Sequence, residues 1–101
     1  MKFNKYKAKP TFVDNIRFPS KLEARKYEQL KMLRESGQIK YFLRQVPFDI
    51  PKAKYFCDFM VVHSDDRIEY IDSKGVETPV FKLKKKQVEA LYPVKINVVK
   101  K

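Results

Sequence analysis

Apolar residues change their period several times along the chain, and each change marks an element. Thr11-Phe12-Val13 and Ile16-Arg17-Phe18 flank Asp14-Asn15, the pattern of a short hairpin. Leu22, Tyr27, Leu30 and Leu33 then fall on one stripe of a helix, opened by Pro19-Ser20 and stopped after about Ser36 by Gly37. From Ile39 to Ile50, Phe42, Val46, Phe48 and Ile50 share one parity; Pro47 confines this strand to an edge or a bend. Residues 54–62 are apolar on both parities, as in a central strand covered on both faces. His63 to Arg67 is a polar turn, and Ile68 to Lys74 is the returning strand, ended by Gly75. Pro79 opens a second helix that runs to about Leu91 and stops at Tyr92-Pro93. Val94, Ile96 and Val98 alternate in a last strand. The order predicts an α/β fold: an N-terminal hairpin, then an αβββαβ core with a mixed sheet flanked by helices.

Composition adds a partner. The chain has 101 residues, enough for one domain, and 44% are hydrophobic, so a packed core is within reach. Lysine and arginine number 23 against 12 acids, a net charge of +11 that calls for an anionic partner, nucleic acid first. Residues 1–10 read as a flexible basic arm, because positions 1–9 carry four lysines and no acid. No apolar run approaches the roughly 20 residues of a transmembrane helix. Met1-Lys2-Phe3-Asn4-Lys5 lacks the apolar stretch of a signal peptide, and the only cysteine, Cys57, leaves no intrachain disulfide. A cytoplasmic location is expected. Two glycines and one histidine exclude a glycine-rich phosphate loop and a histidine metal cluster.

Three carboxylates stand in unusual places. Asp58 lies in the middle of the most apolar strand, where an unpaired carboxylate costs several kcal/mol or neutralises. A structural salt bridge would compensate it; so would a bound cation. Asp72 and Lys74 share a strand face. A five-residue loop over His63–Arg67 pairs Val62 with Ile68 and Met60 with Tyr70, and sets Asp58 opposite Asp72. Their Cβ atoms would then stand ~5 Å apart and their charges repel. A divalent cation turns that repulsion into a site, and magnesium favours such a small oxygen set. A four-residue loop would put Asp72 on the other face. Glu23 completes a capping box with Ser20, yet it also falls inside the apolar stripe of its helix, from which it can reach a site at the sheet.

Together, Glu23, Asp58 and Asp72-Ser73-Lys74 resemble the PD-(D/E)xK nuclease signature in order and in the elements that bear them. Ser20-Lys21-Leu22-Glu23, Gln45-Val46-Pro47, Tyr55-Phe56-Cys57-Asp58-Phe59, Asp72-Ser73-Lys74-Gly75 and Phe81-Lys82-Leu83-Lys84 are similar to a family of small phage proteins catalogued as a domain of unknown function. The pattern is also similar to archaeal Holliday-junction resolvases and to the endonuclease subunits of heteromeric transposases, over residues 11–99. Cys57 replaces the usual proline, and Asp72 stands where glutamate is commoner. The resemblance implies that residues 11–101 form a single nuclease domain of restriction-endonuclease-like fold, with Mg²⁺ (or Mn²⁺) as cofactor. Asp58, Asp72 and the Ser73 carbonyl would ligate the ion. Lys74 would orient or activate the attacking water, and Glu23 would hold a second ion or a water. Lys84, Lys86 or Gln87 would be the auxiliary residue.

The expected activity is cleavage of branched DNA such as Holliday junctions by a homodimer. Cutting of duplex or single strands by the same chemistry is the alternative, and a non-catalytic nucleic-acid-binding module is the reading of another class. Lys82, Lys84, Lys85, Lys86, Arg17 and Arg44 are the expected phosphate contacts. Tyr6, Tyr41 and Tyr55 are read as core or rim packing before base stacking, and Cys57 as a buried apolar residue.

Overall fold

In the computed structural model, which describes residues 10–100, Asp14 and Asn15 both have positive φ, 53° and 64°. This is the backbone of a two-residue turn whose twist matches a hairpin. It joins β1 (Thr11–Val13) to β2 (Ile16–Phe18), with Val13 opposite Ile16. Helix α1 (Lys21–Glu35) starts where Ser20 Oγ accepts the Glu23 N–H at 3.1 Å. It ends at Gly37, whose φ of 81° suits a residue without Cβ. The basic arm expected over residues 1–10 lies outside the described residues, apart from Pro10.

Strands β3 (Ile39–Ile50), β4 (Ala53–His63), β5 (Ile68–Ser73) and β6 (Ile96–Val99) form one mixed sheet in that spatial order. β3, β4 and β5 are antiparallel; β6 joins β5 in parallel after helix α2 (Pro79–Leu91). Thr78 Oγ1 caps α2 by accepting the Phe81 N–H at 3.1 Å. The last strand begins later than its alternation predicts, because the Val94 N–H turns back onto the Tyr92 carbonyl at 2.8 Å. Pro47 lies on an edge strand, where a missing ladder donor is tolerated. Val62 pairs with Ile68 and Met60 with Tyr70, the register expected of a five-residue loop.

Two apolar clusters pack on this sheet. One gathers Leu30, Tyr27 and Leu33 of α1 with Ile39, Phe42, Phe59, Val61 and Ile71; the other gathers Phe81 and Val88 of α2 with Phe48, Ile50, Tyr55, Cys57 and Ile96. Ile71 belongs to the first and its neighbour Tyr70 packs on the second, so the helices lie on opposite faces. The single-parity reading of β3 is corrected here. Phe42 packs under α1, whereas Val46, Phe48 and Ile50, of equal parity, pack under α2. β4 switches likewise between Cys57 and Phe59. The switch point is Gln45, whose φ of 52° breaks the strand backbone and which falls opposite Asp58, between the Arg44–Phe59 and Val46–Cys57 pairs.

Candidate functional site

A cleft of about 1090 Å³ opens beside this switch. The first turn of α1, the ends of β5 and α2, and the β3–β4 pair surround it, and Glu23, Gln45, Asp58, Ser73 and Lys74 line it. Asp72 is the next residue along β5 and is fully buried. All four residues expected to carry the chemistry, with Ser73, therefore come together.

Asp58 leaves the regular β4–β5 ladder, which ends at Phe59–Ile71. Its Oδ2 accepts the Ser73 N–H at 2.9 Å and its Oδ1 accepts from Gln45 Nε2 at 3.3 Å. Burial raises its carboxyl against the pull of the Ser73 N–H and of Lys74. Asp72 Oδ2 accepts from the Tyr55 hydroxyl, but Oδ1 is buried without a hydrogen bond. Lys74 Nζ stands 3.7 Å from that oxygen. Burial raises the Asp72 carboxyl to about 6 although the ammonium opposes it.

Glu23 divides its two readings between its atoms. The backbone N–H serves the Ser20 cap, while the carboxylate enters the cleft, 3% exposed. Glu23 Oε2 accepts from Gln45 Nε2 at 3.1 Å and lies 3.9 Å from Arg44 Nη2. Burial first, and the Asp58 charge second, raise this carboxyl to about 7.

Three residues take part that sequence reasoning placed elsewhere or gave no role. Gln45 bridges Glu23 and Asp58; it stood within the motif pattern, but a glutamine in a strand carries no sign of its backbone. Arg44, expected among the phosphate contacts, is stacked over the Phe18 ring at 4.5 Å and turned to Glu23. Tyr55 packs in the core as expected, 4% exposed, and its hydroxyl holds Asp72. Of the other basic residues, Lys85 lies 3.4 Å from Glu89, and Arg17 is exposed on β2. Among the described residues no carboxylate lies within ion-pair reach of Lys82, Lys84 or Lys86. Lys84, Lys86 and Gln87 do not line the cleft; α2 contributes only Pro79 there, beside its cap Thr78. Burial pushes the Cys57 thiol up to about 12, which leaves it inert.

Among the described residues, no three His, Cys, Asp or Glu side chains are grouped to ligate one ion. Magnesium does not need three, since it is commonly held by one or two carboxylates and waters. Asp58 and Asp72 fit that requirement, because Asp72 Oδ1 is buried with no hydrogen bond and has only the Lys74 ammonium, 3.7 Å away, to offset its charge, so a cation would satisfy it.

Fold and site define a mixed α/β protein with a buried carboxylate cluster opening into a cleft at the sheet. The chain belongs to the DUF1064 family, described as a protein of unknown function, whose model matches residues 3–101. Comparison with curated proteins and with solved structures gives no match. No helix among the described residues is long and apolar enough to cross a membrane.

Proposed function

We propose that this protein is a Mg²⁺-dependent DNA endonuclease of the PD-(D/E)xK type, acting on branched DNA in the cytoplasm of a phage-infected cell. The observation that carries the reading is the meeting of Glu23, Asp58 and Lys74 in one cleft with Asp72 buried directly behind Ser73, all three carboxylates buried and raised in pKa. A module that only bound anions gains nothing from three acids gathered there.

The ion, when bound, supplies Lewis acidity and an acidic water. Asp58 and Asp72 hold it, with the Ser73 carbonyl as a further oxygen. Lys74 orients the attacking water and offsets charge on the phosphate. Glu23 holds a water or a second ion. Lys82, Lys84 and Lys86 grip the backbone of the substrate without reading its sequence. The products carry 5′-phosphate and 3′-hydroxyl ends. A two-fold homodimer matches the paired nicks of a four-way junction. Phe18 is fully buried, so the hairpin offers only Phe12 to an interface, whereas edge strand β3 exposes Tyr41 and Leu43.

The test is incubation of end-labelled junction, flap, duplex and single-stranded DNA with the protein, in Mg²⁺ or EDTA. Cleavage in Mg²⁺ alone, strongest on the junction, is expected. Uncut DNA of every form overturns the nuclease reading, and equal cutting of duplex overturns the branched substrate.

A further inference from the structure

One wall of the cleft is apolar, and the core does not account for it. Tyr55 and Cys57 pack under α2, so Phe56 between them faces the opposite side of the sheet. Helix α1 lies on that side, yet its core side chains pack with Phe42, Phe59 and Val61 and leave Phe56 outside both apolar clusters. Phe56 is 51% exposed, and its ladder partner Pro47 is exposed as well. Among the described residues no other aromatic ring pairs with it. A lone exposed phenylalanine means little by itself. This one lines the cleft with Leu22, Val76 and Pro79, and stands two residues, or ~7 Å of strand, from Asp58.

The rim beside this wall is cationic. Lys21 and Arg25, exposed one turn apart on α1, line the same cleft. Among the described residues neither has a carboxylate within ion-pair reach. Glu77, the acid of this rim, is taken up by Lys100 at 2.7 Å. A surface that only tracked phosphates would need the cations and no apolar wall. An interface with another protein chain is depleted of charge at its core, whereas this wall stands over Glu23 and Asp58. Free cations with an open aromatic face beside them are the parts of a site for unpaired nucleic acid.

We infer that Phe56 is a stacking platform for one unpaired nucleobase of the DNA, with Lys21 and Arg25 holding the backbone that carries it. The inference rests on the nuclease reading above and narrows its substrate to DNA with a base free to leave its stack. A base seated on Phe56 brings its own phosphate toward the Asp58 end of the cleft. An intact duplex must unpair to make the same contact, at a cost that weakens its binding.

Equilibrium binding to labelled DNA tests this, with a duplex carrying one bulged adenine, the same duplex with an abasic residue in the bulge, and the intact duplex. The full chain is used on a Lys74→Ala background, so that the DNA stays whole in Mg²⁺. Phe56→Ala should weaken binding to the bulged adenine about 5- to 100-fold, and binding to the abasic bulge or the intact duplex less than about twofold. Phe56→Trp should hold the bulged adenine at least as well as phenylalanine does. Lys21→Ala and Arg25→Ala should weaken all three DNAs alike and flatten the salt dependence. No loss on the bulged adenine, a loss as large on the other two DNAs, or tryptophan binding no better than alanine overturns the stacking role. Unchanged binding by Lys21→Ala and Arg25→Ala overturns theirs. Light scattering on Phe56→Ala covers the other occupant: a dimer lost with this side chain makes Phe56 an interface residue and overturns the inference. Each of these results leaves the nuclease reading standing, because cleavage is scored separately with Lys74 intact. A wild-type chain that binds none of the DNAs overturns both.

Discussion

Replacing Glu23 with glutamine should stabilise the metal-free protein at pH 8 and far less, by under about 1 kcal/mol, at pH 5. Burial, with the Asp58 charge second, raises the Glu23 carboxyl from 4.5 to about 7 in the folded state. In the unfolded chain the ordinary value holds. Between those two values the folded protein keeps a proton that the unfolded chain has released, so stability falls as pH rises and the loss is complete above about 7. The rise corresponds to about 3 kcal/mol, at about 1.4 kcal/mol per pH unit. Glutamine removes that cost, and the figure already includes the opposing pull of the Arg44 guanidinium, 3.9 Å away, and of the Gln45 amide. The gain at pH 8 is therefore about 3 kcal/mol, or roughly 12–24 °C in Tm for a domain of this size. The helix cap is unaffected, because its donor to Ser20 is the backbone N–H. Thermal melts in EDTA at the two pH values measure the difference. A variant less stable than wild type at pH 8 would mean that the Arg44 pair outweighs burial. An equal gain at both pH values would mean that the carboxyl does not titrate in this window.

Asp58→Asn and Asp72→Asn should each abolish Mg²⁺-dependent cleavage while keeping or improving DNA affinity in filter binding, since a negative charge near phosphate is removed; wild-type cleavage by either sinks the ligand assignment. Lys74→Ala should lower kcat with little change in affinity, and Lys84→Ala or Lys86→Ala should weaken binding and flatten its salt dependence; the reverse pattern would exchange site and rim. Light scattering should find a dimer free or on a junction, and a monomer in both states would remove the paired-nick model.

Much of this fold was legible because its punctuation is local. Ser20, Gly37 and Pro79 bound the helices by chemistry that acts within one turn. The length of the His63–Arg67 loop set the β4–β5 register from Val62–Ile68 to Phe59–Ile71, the pair next to Asp58 and Asp72. Asp58 was conspicuous as a carboxylate among apolar neighbours. What stayed hidden depends on a backbone that leaves its repeat. Parity counting assumes that every strand residue rotates the chain alike, and Gln45 does not. Phe42 and Val46 therefore look like one face and serve two. Arg44 and Tyr55 were assigned to surface and packing because their partners, Glu23 and Asp72, lie 21 and 17 positions away.

The charge arrangement separates binding from cutting. The molecule carries +11 overall, yet Glu23 and Asp58 in its cleft and Asp72 buried behind it are acids that burial holds at raised pKa. A phosphate approaching that cleft without an ion meets ionised carboxylates above neutral pH, and low-dielectric surroundings strengthen the repulsion. Lys82, Lys84 and Lys86 on α2 carry no such opposition and attract the same phosphate backbone over a Debye length of about 10 Å in 0.1 M salt. DNA should thus dock on α2 in EDTA and stay uncut. On the proposed reading, a divalent ion between Asp58 and Asp72 would reverse the local sign and let the phosphodiester reach Lys74. On that reading, an ion that binds the folded cluster and not the unfolded chain would also raise the stability of the fold, so the same residues would set both.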